Sequence, residues 1–375
     1  MLHNYSTHCC GHPIGNLLKC LHDNEAVQNK FMKHFRSALA LVLLSGGIVA
    51  DSASAAIPVD TVQVLNLGNA NDITGYGAVN YSYGLGKYEV TLNQYAAFLN
   101  AVAATDTYLL YNPSMAANAN IAGILQSGVS GSFAYSVIGS GDRPVTYVSW
   151  FDAARFVNWL QNGQPTGAQD ASSTEQGAYA LNGAISGVFT RNSGTIFGLP
   201  TENEWYKGAY YQPAAQGGDT DNYWLYPTRS NTQPNSRNGS TTDPNSANLY
   251  YNDGIANGYN GGYAVNNSTV NPGTSTLLPA GSYTLAYSYS GTYDQGGNVW
   301  EWNDAVIGSS RGLRGGAWDT GSGPFSLRAT ARNSSSPETE NAYIGFRIVE
   351  IPEPGMISLL ALGAALLAWQ RKHAG

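Results

Sequence analysis

Apolar residues recur at helical spacing from Leu92: Leu92, Tyr95, Phe98, Leu99 and Val102 share one face. Thr91 stands where an N-cap is needed, and Leu85 to Val90 reads as a strand running into this helix. Residues 105–141 form a Gly/Ser/Ala-rich connection without a clear period. Pro144 to Val148 predicts a second strand. Ser149 with Asp152 three residues on makes a capping-box pattern, and Phe151, Ala154, Phe156, Val157 and Leu160 supply the buried side of a second helix. Thr201-x-x-Glu204 repeats that start signal, with Trp205 and Tyr206 on a short helix. Residues 211–292 are rich in Asn, Gly, Ser, Thr and Tyr, with turn signals at Asn238-Gly239, Asp253-Gly254 and Asn257-Gly258. So long an irregular stretch needs an organiser, and metal binding is one candidate. The last part is strand-like: Gly297–Trp302, Arg311–Trp318, Leu327–Arg332 and Ile344–Val349. Trp300 and Trp302 are expected in the core, and Arg328 and Arg332 are expected to meet acids or capping carbonyls.

The two ends read as addresses. Lys33, His34 and Arg36, the apolar run Ala38–Ala50 and the small-x-small site Ala53-Ser54-Ala55 make residues 32–55 a secretory signal. The signal implies the Sec translocon and signal peptidase as partners. Residues 1–31 fit no signal pattern, so a start at Met32 is expected; the alternative is a cytosolic extension holding a metal cluster. At the other end, residues 351–375 join Pro352-Glu353-Pro354 to an apolar run, Met356–Trp369, and a basic end, Gln370-Arg371-Lys372. The run is short of the ~20 residues of a membrane span. This combination resembles the PEP-CTERM sorting signal of Gram-negative bacteria. It implies an exosortase partner, transient membrane anchoring and delivery to the cell surface or extracellular matrix; the alternative is a plain C-terminal anchor.

Composition then removes whole classes of chemistry. The chain has 375 residues, of which only 11% are charged. Residues 56–350 hold 12 basic and 21 acidic side chains, an acidic balance that argues against a nucleic-acid partner. Cys9, Cys10 and Cys20 are the only cysteines, and no His occurs between Phe35 and Lys372. A cysteine nucleophile, a disulfide framework, a Ser-His-Asp triad and a Cys/His metal site are therefore excluded from residues 56–350. Carboxylates, hydroxyls, amides and Arg remain.

Six segments in order resemble the formylglycine-generating enzyme (sulfatase-modifying factor) family. They are Tyr88-Glu89-Val90-Thr91 with Gln94-Tyr95; Pro144-Val145 with Val148–Ala153; Leu199–Trp205; Gly297–Trp302; Arg314–Trp318; and Gly345-Phe346-Arg347. The resemblance covers roughly Leu65 to Val349. It implies one α+β domain of the variant C-type lectin-like fold with little regular secondary structure. The family's oxidase carries two copper-binding cysteines after the Arg-Gly-Gly motif. The matching positions here are Thr320 and Phe325, neither of which can bind copper as a thiolate does. No copper and no catalysis are therefore expected. The resemblance also implies a calcium site built from Asp294, the Gly297 and Val299 carbonyls and Glu301, all hard oxygen donors. The alternative is that Asp294 caps a turn and Glu301 pairs with an Arg. A weaker second calcium site would use Asn248 and the Leu249 carbonyl.

The resulting expectation is an exported, calcium-stabilised, non-catalytic binding or structural module. Exposed Tyr and Trp of residues 206–226 and 250–263 would grip an extracellular polysaccharide or a surface protein. A pure anchor in a surface assembly differs only in its partner. The competing class is an enzyme acting on exported proteins, either the formylglycine-generating oxidase by another route or a carboxylate hydrolase. For that class, Asp319 near Arg314 and Arg328 is the best-placed acid.

Overall fold

The computed structural model of the chain describes residues 56–319, 321 and 323–351. The signal and sorting segments and Thr320 lie outside the described residues. Among the described residues no helix is long and apolar enough to cross a membrane.

The three predicted helix starts form as capping boxes. Thr91 caps α1 (Leu92–Val102) with Gln94, Ser149 caps α2 (Trp150–Gln161) with Asp152, and Thr201 caps α3 (Glu202–Tyr210) with Glu204. In each, the cap hydroxyl accepts the third backbone N–H and the third side chain returns to the cap N–H. Such a cap stabilises a helix by about 1 kcal/mol. The apolar faces of α1 and α2 meet in an aromatic core. Phe98 lies 5.5 Å from Tyr95 and 5.4 Å from Phe156, which lies 5.4 Å from Phe346. Trp300 and Trp302 join this core, as expected.

Two four-stranded sheets flank the helices. The first has the order β1 (Thr61–Val64), β2 (Tyr83–Gly86), β14 (Val349–Glu350), β5 (Phe197–Gly198), all antiparallel. The second has the order β12 (Asn333–Ser335), β11 (Ser310–Arg314), β10 (Trp300–Ile307), β13 (Ile344–Phe346). Its β10–β13 pair is parallel, with Glu301 opposite Gly345. The chain passes from β13 in one sheet to β14 in the other through Arg347 and Ile348. That crossing sets Arg347 between the sheets.

Several elements differ from the sequence reading. Residues 144–148 form no strand; Pro144 makes a single bridge to Thr91 and the segment delivers the chain to the cap of α2. Residues 327–332 are a helical turn and bends rather than a strand, since Arg314 draws the carbonyls of Ala329 and Ala331 onto its guanidinium. The connection 105–141 contains the hairpin β3 (Ile124–Ser127)–β4 (Ala134–Val137).

Residues 211–292 are irregular, as predicted. They hold the short pairs β6 (Asn235–Ser236)–β7 (Ser246–Ala247) and β8 (Tyr250–Asn252)–β9 (Gly261–Tyr263). Side chains organise them: the buried Ser236 hydroxyl donates to the Leu249 and Gly262 carbonyls, and Asn260 Oδ1 accepts from the Ser236 N–H.

Asp152, which is buried, and Asp304, which is partly buried, couple this fold to pH. Burial, with the Glu340 charge adding to it, brings Asp152 from 3.8 up to about 7. Burial likewise brings Asp304 to about 7 in spite of its Arg311 partner. Between those values the folded state keeps protons that the unfolded chain has lost, so stability falls as pH rises from about 4 to about 7. Urea midpoints measured in chelator are expected to decline over this range, and Asp152→Asn to flatten the decline. A midpoint that climbs toward neutrality contradicts the assignment.

Candidate functional site

The segment from Tyr293 to Val299 makes a curl with three left-handed residues before it enters β10. Asp294, Gly297 and Asn298 have φ of 57°, 88° and 61°. The curl is tied down on both sides. Gly297 N donates to the Gly315 carbonyl at 2.9 Å, Asn298 N to the Asn248 carbonyl at 2.8 Å, and Trp318 N to the Asn298 carbonyl at 3.0 Å. Asn298 Oδ1 accepts from Asn248 Nδ2 at 2.9 Å. The two calcium sets named from the sequence are thus neighbours, joined through Asn298.

Glu301 lies at the centre of the fold and is completely buried. Both its oxygens receive Arg347, at 2.5 Å from Nε and 2.7 Å from Nη2, and Trp205 Nε1 adds a third donor at 2.7 Å. The Arg pairing considered for Glu301 is therefore present. Asp294 is partly buried, and its Oδ2 accepts the Gly281 N–H at 2.7 Å. Burial pushes its carboxyl up to about 6, although the Gly281 hydrogen bond and Arg347 pull the other way. The Leu249 carbonyl accepts the Ser236 hydroxyl at 2.6 Å, and Asn248 is buried with its amide on the Thr276 carbonyl.

Two groups that the sequence reading did not single out complete the cluster. Glu89 is buried; one oxygen accepts from Asn298 Nδ2 at 3.3 Å and Oε2 has no hydrogen-bond partner. Burial, reinforced by the Asp294 charge, holds its carboxyl well above the usual range. Arg347 is raised: burial opposes its charge, but Glu301, Glu89 and Asp294 outweigh burial. Its remaining donors reach the Gly86 and Tyr293 carbonyls. Both residues sit inside segments that carry the family resemblance, which was the available signal.

By donor type the Asp294–Glu301 segment suits a hard divalent cation. Its carboxylates are already engaged: Arg347 and Trp205 take both Glu301 oxygens, and the Gly281 N–H takes one oxygen of Asp294. Among the described residues, no three carboxylate, imidazole or thiol side chains converge as a metal cage. A cation here would rely on backbone carbonyls for part of its shell. Copper does not fit. Phe325 offers only a ring, 56% exposed, with the Arg328 guanidinium 4.3 Å from its centroid.

The acid Asp319 is not gathered with Arg314 and Arg328. Arg314 is buried against Glu202, at 2.9 Å from Nε, and Glu202 also holds Arg332 at 2.7 Å. Arg328 donates to the Tyr226 hydroxyl. Asp319 is exposed and accepts the Tyr263 hydroxyl at 3.3 Å. The expected aromatic surface is also smaller than the sequence implied. Tyr206, Tyr210 and Tyr223 are buried because α3 and the following loop use them as a second core, and Tyr226 is buried in a further cluster with Ala247, Leu249 and Leu327. Tyr250 and Tyr263 remain half-buried beside Asp319, with Tyr263 4.8 Å from Tyr250 and 6.1 Å from Trp318, whereas Tyr251 turns to the other face of its strand and packs beside Tyr226 and Leu249.

A family model described as the sulfatase-modifying factor enzyme 1-like domain matches residues 32–351. An inactive C-alpha-formylglycine-generating enzyme 2 of Mus musculus is 30% identical over 156 residues, 40% of this chain; the chain spans about two fifths (41%) of that relative's length. Among solved structures, CarF aligns at 20% identity over 79% of this chain and 100% of its own, with a TM-score of 0.46. Variable protein 1 of Treponema denticola aligns at 19% identity over 80% and 97%, with a TM-score of 0.40. PvdO from Pseudomonas aeruginosa aligns at 17% identity over 79% and 93%, with a TM-score of 0.37.

Proposed function

This chain belongs to the sulfatase-modifying factor enzyme 1-like family, and we propose that it is a non-catalytic member, exported and used as a calcium-stabilised binding module on the cell surface or in the extracellular matrix. The observation that carries this reading is the donor set. The positions matching the family's two cysteines are Thr320 and Phe325, and no Cys or His stands between Phe35 and Lys372. Oxygen activation on copper has no thiolate to work through. The Mus musculus relative is itself named inactive. Export rests on the signal at residues 32–55, and surface delivery rests on the Pro-Glu-Pro segment and apolar tail.

Calcium would be held by Asp294, the Gly297 and Val299 carbonyls and Glu301. There it would supply charge compensation and pin the curl that joins the irregular loops to β10. The ligand surface would be the ring pair Tyr250 and Tyr263 with Asp319, an apolar face beside a hydrogen-bonding carboxylate, the combination that suits a sugar ring.

The test is binding of the purified protein to a broad glycan array, with calcium and with chelator. Calcium-dependent binding is expected, and Tyr263→Ala is expected to weaken it roughly fivefold, the equivalent of about 1 kcal/mol for one stacked ring. No binding by folded protein would favour a protein partner or a passive matrix role. Copper-dependent oxygen consumption that is lost in Asp319→Asn would replace this reading with the enzymatic one.

A further inference from the structure

Five arginines are buried among the described residues, and four of them meet an acid. Arg155 pairs with Glu175, Arg311 with Asp304, Arg314 with Glu202 and Arg347 with Glu301. Arg143, 4% exposed, differs: its hydrogen bonds all go to neutral oxygens. Nε donates to the Ser140 carbonyl at 3.2 Å, Nη2 to the Ile138 and Ala122 carbonyls at 2.6 and 2.8 Å, and Nη1 to the Ser275 hydroxyl at 2.8 Å. Asp142, the acid beside it in the chain, is exposed and accepts from Asn93 instead. Burial draws the Arg143 pKa down and no acid opposes it, whereas Arg347 is raised by its carboxylates. Neutral acceptors satisfy N–H groups but do not neutralise the charge, and a buried charge without a counter-ion destabilises a fold.

Arg143 lines a cavity of about 540 Å³, a size that suits a small ligand. Ser140, Ser275 and Asn238 give the cavity polar walls, and Val265 and Leu278 give it apolar ones. Four of the five N–H groups of Arg143 are committed, which locks the guanidinium in place and leaves one N–H on Nη1. The Ser275 hydroxyl, having accepted from Nη1, keeps its own proton to donate. One positive charge, one guanidinium N–H and one hydroxyl proton are the complement of a carboxylate. Hydroxyl and amide groups beside apolar walls match the hydroxyls and the C–H face of a sugar ring.

We propose that this cavity binds the carboxylate of an acidic sugar, with Arg143 supplying the counter-charge and Ser275 a hydrogen bond. The site uses none of the residues assigned above to calcium or to the ring pair, so it goes beyond the proposed function and does not rest on it.

The test is titration calorimetry of the purified protein with sodium glucuronate, glucose and sodium acetate, in calcium-free buffer that contains no carboxylate. Glucuronate is expected to bind with a Kd of about 1 mM. Glucose, which lacks the charge, is expected to bind roughly tenfold more weakly, and acetate, which lacks the ring, is also expected to bind more weakly. Arg143 ties three carbonyls as well, so the deciding variant is Ser275→Ala, at an exposed position. It is expected to fold and to bind glucuronate roughly tenfold more weakly. Glucuronate should also raise the unfolding temperature of wild type more than that of Ser275→Ala. No glucuronate binding by folded wild type overturns the proposal. Equal affinity for glucose removes the role of the Arg143 charge, equal affinity for acetate removes the sugar, and an unaffected Ser275→Ala places the ligand elsewhere; each of these overturns it too.

Discussion

Arg347→Met is expected to remove about 3–5 kcal/mol of stability, the largest single-residue loss in the molecule. Truncating one partner of a buried ion pair leaves the other charge without compensation in a medium that cannot solvate it. Here both side chains are completely inaccessible. Glu301 would keep only Trp205 Nε1 as a donor. The Gly86 and Tyr293 carbonyls would lose theirs as well. Those two carbonyls sit on β2 and beside the calcium curl, so the damage spreads from the second sheet to the first. Against the 5–15 kcal/mol that holds a typical domain together, such a loss approaches unfolding. Urea midpoints in chelator measure it. Replacing both partners, Arg347→Met with Glu301→Leu, is expected to recover most of the loss, because the pair itself gains little over apolar packing. A single-variant loss under about 1 kcal/mol would mean that Glu301 is neutralised by other means.

Gly297→Ala should be the second most damaging change. Its φ of 88° is a conformation that L side chains rarely adopt, and a Cβ there would lie 2.4 Å from the Asn248 carbonyl oxygen. The backbone region alone costs about 1–3 kcal/mol. The clash adds to this, because the obstacle is backbone held by the Asn298 N–H and cannot swing away. Gly308→Ala is the control. Its φ is 62° with nothing within 4 Å, so it carries only the backbone cost. The expected result is a loss for Gly297→Ala clearly above that of Gly308→Ala, accompanied by weaker calcium binding. Equal losses would show that Asn248 can retreat and that the curl is softer than its hydrogen bonds imply.

Much of this architecture was legible before any coordinates. The three capping boxes are local chemistry: a hydroxyl, a side chain three residues on and an apolar face at helical spacing decide a helix start without long-range help. Trp300 and Trp302 were placed in the core because burial is the commoner use of so large a ring. The strand expected at 144–148 failed because its β-branched residues fit a strand as well as they fit a buried connection, and only a neighbouring strand can settle that. The buried tyrosines of α3 failed similarly. A ring with a hydroxyl is equally suited to a wet surface and to a core that offers the hydroxyl a partner, as the Leu327 carbonyl does for Tyr210.

The sequence by itself determined the family resemblance, the helix starts, and the absence of Cys and His from residues 56–350, because motifs, caps and residue types are properties of the chain. Only the tertiary structure decided that Arg347 closes on Glu301, 46 residues away, and that Asn298 reaches Glu89 across 209 residues. Charge compensation depends on distance and burial, and both are set by how the two sheets and their helices pack. A carboxylate in a linear motif carries no mark of whether its counterion will arrive.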